Sequence, residues 1–426
     1  MAISPAAQAA NIRDREWYLD AMEASKMWQV STGKGITVAV IDSGVNASAP
    51  ELRGRVLPGR DFGADGGDAQ QDPDGHGTDM AALIAGDGNS GSGVMGLAPD
   101  ARILPLRNGG ELNAAQHISD AIRYAADHGA KIINISEGVL GSGSTSQDGM
   151  LFEPAVKYAL SHGSLIFTAS GNEGDKGNAI DYPAATPGAV AVAALDESGN
   201  VAKFSTYGPQ VALAAPGKNI PGQCSKSHGK AGGYCMGDGT SQATAIASAS
   251  AALIWAKHPD WTNNQVLRVM LNTAGKPKTG KVPSIYIGYG SVRPRVTLLG
   301  NPGDPGPANV NPLFPKLFSN SPSASASTSV LPAPADHPSA AKSSGGSGTL
   351  WVGLGIGGVV ALGALTTVAV IRRRKAAQGL PAVPPVVPVP PQFGPYPGSG
   401  SPSPSNPPAA APRFPDGNRP PNPYQR

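Results

Sequence analysis

Three short stretches of this chain carry the residue types of nucleophilic catalysis. Ser241 stands in Gly239-Thr240-Ser241, His76 in His76-Gly77-Thr78, and Asp42 in Asp42-Ser43-Gly44. A serine hydroxyl is a weak nucleophile until an imidazole takes its proton. The imidazole in turn needs a carboxylate to hold its tautomer and balance the cation that forms. A fourth residue, Asn172 in Ser170-Gly171-Asn172-Glu173-Gly174, is an amide donor. Placed beside a tetrahedral intermediate, such a donor lowers the barrier by about 3 kcal/mol. Each residue also has a plainer reading taken alone: Ser241 as a helix cap, Asn172 as part of a glycine-rich turn. Of the seven histidines, His76 is the one set between glycines and followed by a run of small residues.

Chemistry of this kind needs the four residues on rigid supports. Ala243 to Ile254 is almost uninterrupted Ala, Ser, Ile and Leu, which predicts a buried helix of about sixteen residues with Ser241 in its first turn. Unpaired N–H groups and the positive end of the helix dipole favour negative charge there. Asp42 closes Ile36–Ile41, a β-branched apolar run that reads as a central strand buried on both faces. Helix-forming residues 79–86 follow His76. Strands are expected at 101–107, 131–135, 164–169, 189–195 and 211–215, with helices at 111–128 and 150–162 between them. This alternation implies a parallel sheet with helices on both faces, whose ligands sit beyond the carboxyl ends of the strands. Asp42, Ser136-Glu137-Gly138 and Ser170-Gly171-Asn172 all stand at such ends. A capping box at Thr262–Gln265 opens a later helix, and the domain is expected to close near residue 298.

Outside this body the composition changes. Residues 12–28 form a short arm whose Trp17, Leu19, Met22, Met27 and Trp28 are expected to pack on it. The acidic segment 61–75 lacks the spacing of an EF-hand loop and reads as a solvated loop. Residues 299–349 are rich in Pro, Ser, Ala and Gly and read as a flexible tether. Residues 350–371 are 22 in number without a charge, enough to span a bilayer at about 1.5 Å per residue, and Arg372–Lys375 marks their cytoplasmic side. Residues 372–426, basic and then Pro-rich, are a cytoplasmic tail of net charge +6, which leaves about −3 for everything before it. No basic face points to nucleic acid. The body then lies outside the cell membrane. Residues 1–11 fit the cleavage region of an export signal whose charged and apolar parts precede Met1. In an exported chain the two cysteines, Cys224 and Cys235, are expected to form a disulfide worth about 3 kcal/mol.

The order Asp, His, Ser, and the blocks around Asp42, His76, Asn172, Ala215-Pro216-Gly217 and Ser241, make residues 12–298 resemble a subtilisin-like serine protease. With the tether and the single C-terminal span, the chain looks like the mycosin branch associated with type VII secretion. The resemblance implies a three-layer α/β fold with a central, mostly parallel sheet. It implies Asp42, His76 and Ser241 as triad and Asn172 as oxyanion donor, with Ser136, Glu137, Gly138, Ala169, Ser170 and Gly171 along the substrate cleft. It also implies an acyl-enzyme endopeptidase that needs no cofactor or catalytic metal. Its partners would be protein or peptide substrates, the membrane and subunits of the secretion machinery. A structural role in that machinery, with cleavage dispensable, is the competing function. The chain departs from the family's usual pattern at three positions: Ala245 where proline is usual, Asp79 where histidine or an apolar residue is common, and Glu137 where leucine is common. A carboxylate at 137 is expected to favour a basic substrate side chain.

Overall fold

The computed structural model describes residues 12–63, 66–109, 114–140, 147–226 and 232–317. In chain order the helices are α1 (Trp17–Ala21), α2 (Ala24–Met27), α3 (His76–Ala85), α4 (Ala114–Asp127), α5 (Gln147–Ser161), α6 (Thr240–Lys257), α7 (Asn263–Thr273) and α8 (Pro294–Leu299). The strands are β1 (Thr37–Asp42), β2 (Arg60–Asp61), β3 (Arg102–Arg107), β4 (Ile132–Ile135), β5 (Val139–Leu140), β6 (Leu165–Ala169), β7 (Asp181–Tyr182), β8 (Val190–Leu195), β9 (Val211–Pro216), β10 (Ile220–Gln223) and β11 (Tyr234–Gly237). Seven strands form one parallel sheet in the order β2-β3-β1-β4-β6-β8-β9. Each strand and helix expected between residues 36 and 273 is present within a few residues of its expected ends.

Side-chain alternation divides the sheet into two cores. Val38 and Val40 of β1, with Ile132, Phe167, Val190 and Val192, face α3, α6, α7 and the N-terminal arm. Ala39 and Ile41, with Leu104, Leu106, Ile133, Ile135 and Ile166, face α4 and α5. Helix α6 lies against β4, β6, β8 and β9 and also touches α3, α7 and α8, so its residues from Thr240 to Trp255 are buried all round. Only small side chains allow that approach. Its interior hydroxyls are satisfied locally: Thr244 Oγ1 donates to Thr240 O at 2.8 Å, Ser250 Oγ to Ile246 O at 2.8 Å, and Ser248 Oγ to Asn134 Oδ1 at 3.0 Å. The capping box of α7 is formed as read, with Thr262 and Gln265 bonding each other's backbone N–H.

The arm packs as expected, with Tyr18, Leu19, Met22 and Met27 buried, and Trp28 Nε1 donating to Leu97 O at 2.8 Å. It also carries a buried acid that the sequence did not single out. Glu16 is wholly buried, its Oε1 accepting from Met95 N at 2.6 Å while Oε2 has no partner among the described residues. Burial pushes this carboxyl up to about 7, against the pull of the Met95 N–H and Arg13. The folded state therefore holds this proton more tightly than the unfolded chain does. Its stabilising contribution is complete below the ordinary value of 4.5 and is lost as pH rises through about 7. Glu16→Gln keeps the acceptor and cannot ionise. Thermal melting from pH 5 to pH 8 should thus show a smaller fall in Tm for the variant than for the wild type; equal falls would refute the assignment.

The chain does not leave the body at 298, the end read from composition. Arg268 of α7 donates to the carbonyls of Pro305, Pro307 and Val310 at 2.6–3.0 Å, Thr262 and Asn264 donate to Ala308 O at 2.9 Å, and Asn311 is buried. These bonds engage backbone carbonyls, which Pro- and Gly-rich sequence offers as readily as any other. Cys224 and Cys235 form a disulfide at the loop end of the β10–β11 hairpin, with Cα atoms 5.3 Å apart. No helix among the described residues is long and apolar enough to cross a membrane. The segment 350–371 read as a membrane span, the residues 372–426 read as a cytoplasmic tail, and residues 1–11 lie outside the described residues.

Candidate active site

The carboxyl ends of β3, β1 and β4 lie side by side, because Asp42 pairs with Arg107 on one side and Ile41 with Ile135 on the other. Asp42 is buried completely. Its Oδ1 accepts from Ser43 N at 2.8 Å and from His76 Nδ1 at 2.8 Å. That bond fixes the imidazole tautomer, leaving Nε2 as the basic nitrogen.

His76 reaches Asp42 because α3 begins unusually close to β1. A Cβ on Gly77 would lie 2.1 Å from Gly44 O and 2.9 Å from Asp42 Cβ, so only glycine permits the approach. The turn before α3 is organised by Asp72. Its Oδ2 accepts from Thr78 N at 2.8 Å and Thr78 Oγ1 at 2.6 Å, and its Oδ1 from Gly75 N at 2.8 Å and Ser43 Oγ at 2.9 Å. Asp72 belongs to the acidic segment 61–75, whose composition reads as a solvated loop. Its side chain instead accepts from the first turn of the helix that carries His76, and the signal is an aspartate six residues before Thr78 across a tight Gly75 turn.

At the start of α6, Ser241 is almost fully buried and its Oγ donates to Ser136 O at 3.0 Å. The hydroxyl therefore rests on the carbonyl that follows β4, not on His76. Such serine–imidazole bonds often tighten only when substrate is bound. Asn172, exposed after β6, is held by its oxygen: Oδ1 accepts from Thr240 N at 2.9 Å and from Thr240 Oγ1 at 3.0 Å. With Oδ1 engaged by the residue next to Ser241, the Nδ2 amide is the end available to a ligand.

The cleft residues fall into two groups. Glu137 and Gly138 line a cleft of about 760 Å³ together with Ser43, Asp74, Asn108 and Leu140. Ser136 and Ser170 are buried. Ser136 Oγ accepts from Asn134 Nδ2 at 2.9 Å, and Ser170 Oγ donates to Thr206 O at 3.0 Å. Both hydroxyls hold the floor in place. Ala169 is half-buried at the end of β6, and Gly171 adopts φ +109°, where a Cβ would meet Asp181 Oδ2 at 2.1 Å.

The electrostatics are unusual in their number of acids. Asp42, His76 and Glu137 each place a side-chain oxygen or nitrogen within 4.8 Å of the others. Asp79, buried on α3, accepts from Gln223 N at 2.8 Å and Gln242 Nε2 at 3.4 Å, tying α3 to β10 and α6. Burial lowers the basicity of His76, but Asp42, Glu137 and Asp79 outweigh it and raise its affinity for a proton. Burial also pushes Asp79 and Glu137 up to about 7 each; Asp42 raises Glu137 further, against the favourable charge of His76. The sequence marked Asp79 and Glu137 as departures without indicating that both face the same imidazole.

The geometry is that of a carboxylate–imidazole pair beside a serine at a helix start, and comparisons with known proteins agree. Residues 33–290 match the subtilase family, Peptidase S8. Thermitase of Thermoactinomyces vulgaris is 35% identical over 265 residues, covering 62% of this chain and 89% of thermitase. Among solved structures, MycP1 from Mycobacterium smegmatis has a TM-score of 0.62 at 30% identity, over 72% of this chain and 89% of that one. The MycP3 protease from the type VII (ESX-3) secretion system has a TM-score of 0.57 at 31% identity, over 66% and 87%. The chain thus belongs to the subtilase family and is a subtilisin-like serine endopeptidase similar to the mycosins.

Proposed function

We propose that this endopeptidase works with Asp42, His76 and Ser241 as its triad, and that it is tethered to the outer face of a membrane beside a type VII secretion machinery. The observation that carries the triad is the 2.8 Å bond from His76 Nδ1 to a wholly buried Asp42. Ser241 Oγ turns from the Ser136 carbonyl toward the imidazole and attacks the scissile carbonyl carbon as His76 Nε2 takes its proton. The oxyanion accepts from Asn172 Nδ2 and from the Ser241 backbone N–H, which a first-turn position leaves without a helical partner. The imidazolium then gives its proton to the leaving amine. A water molecule, deprotonated by His76, attacks the acyl-enzyme; the acid leaves and Ser241 recovers its proton.

The tether rests on the charge-free stretch 350–371 and the basic residues that follow it. The link to secretion rests on the likeness to MycP1, which is described as an essential component of the type VII (ESX-1) secretion system. One experiment tests both parts. A fluorophosphonate probe applied to cells should label Ser241, with the labelled protein sedimenting with membranes. Deleting 350–371 should move the label to the soluble fraction. Unlabelled Ser241 would remove the triad, and a labelled wild-type chain in the soluble fraction would remove the tether.

A further inference from the structure

The cleft beside His76 carries an unbalanced charge. Glu137 follows β4 immediately after Ser136, so the β1–β4 pairing sets it next to Asp42 and His76. Asn108, one residue past β3 on the other side of β1, donates its Nδ2 to Glu137 and holds the carboxylate at the rim. Asp74, from the turn before α3, lines the same cleft. Among the described residues of the lining, Arg107 is the cationic side chain, and it is engaged: its guanidinium lies 2.9 Å from Asp61 Oδ2 in a nearly buried pair. The remaining wall is apolar, formed by Ile118, Val139 and Leu140. Among the described residues, two carboxylates thus face an open, partly apolar cleft whose cations are His76 and the Arg107 already paired with Asp61.

We propose that this cleft receives a lysine or arginine side chain of the polypeptide substrate, with Glu137 and Asp74 binding its cationic head. The aliphatic stem would lie along Val139 and Ile118, as long basic side chains do on apolar surfaces. The proposal rests on the endopeptidase reading above. Burial is the main reason that Glu137 resists ionisation in the free enzyme; Asp42 and, more weakly, Asp74 add to it, with His76 and the Asn108 amide as partial compensation. A bound substrate cation supplies the missing counter-charge.

Peptides that differ only by lysine or norleucine, placed in turn at each of the four positions before the scissile bond, test this. Norleucine keeps the stem and removes the charge. For the wild type at pH 8, kcat/KM should favour lysine over norleucine at one of these positions by about tenfold, the size of one well-placed charge pair in a partly solvated cleft. Glu137→Gln should reduce that ratio to about threefold or less, and Asp74→Asn should reduce it in part. The wild-type preference should fade as pH falls below about 7, where Glu137 takes a proton, and should not fade in Glu137→Gln. Arginine should replace lysine, and glutamate should be disfavoured at the same position. No lysine preference at any position, or a preference unchanged by Glu137→Gln, overturns the proposal. Fluorophosphonate labelling of the same preparations separates the two levels. Labelled enzyme that is indifferent to lysine overturns the cleft assignment alone, whereas an enzyme that neither labels nor cleaves overturns the endopeptidase reading with it.

Discussion

Replacing Ser241 by alanine should lower kcat/KM on a peptide substrate by about five to six orders of magnitude, the scale of triad knockouts in this family, while the fold persists. The variant removes one oxygen from a first-turn position inside a small-residue helix, and with it the bond to Ser136 O. That bond is worth on the order of 1 kcal/mol, so Tm should fall by no more than about 2–4 °C. His76→Ala should be comparably inactive, and the double variant scarcely worse than either, because proton removal and attack are one event. Full activity in Ser241→Ala, or additive losses in the double variant, would contradict the assignment. The same variant separates cleavage from scaffolding in cells. Normal secretion with Ser241→Ala would make assembly the main role, and lost secretion would make proteolysis essential.

Asp42→Asn should cost about four orders of magnitude in kcat/KM at neutral pH, through the tautomer of His76. The present Oδ1 accepts from both Ser43 N and His76 Nδ1. An asparagine whose oxygen takes the Oδ1 place keeps both bonds but brings no charge to balance the imidazolium, and one turned over presents its amide to both donors. In the turned-over form His76 must accept at Nδ1 and carry its proton on Nε2, where Ser241 needs a base. The carboxylate's contribution to the raised His76 pKa disappears as well. A nitrogen-15 spectrum of the imidazole should therefore show Nε2–H as the dominant neutral form in the variant and Nδ1–H in the wild type. An unchanged tautomer with retained activity would rule out this role for Asp42.

Much of this was legible from residue order. The β-branched run before Asp42, the small-residue run after Ser241 and the glycines around His76 each report a local constraint, and those constraints are what the structure contains. What was not legible depends on strands meeting in register. Glu137 faces His76 only because β4 pairs with β1, and Asp79 is buried only because β10 and α6 close over α3. Asp72 was hidden differently, in a segment whose acidic composition hid a single aspartate with four local hydrogen-bond donors. Residues 299–317 stay on the body through carbonyl oxygens, a group every residue type carries and composition cannot reveal.

Because all seven strands of the main sheet run the same way, their two ends have separate duties. Asp42, Ser136, Glu137 and Asn172 all leave from carboxyl ends. At the opposite edge, the chain enters β4 after Gly129 and β6 after Gly163, in open turns where a side chain would find no other atom within 4 Å. A change at that edge should therefore act through stability, by forcing a side chain into the left-handed turns of Gly129 and Gly163, while kcat/KM per folded molecule stays as it was.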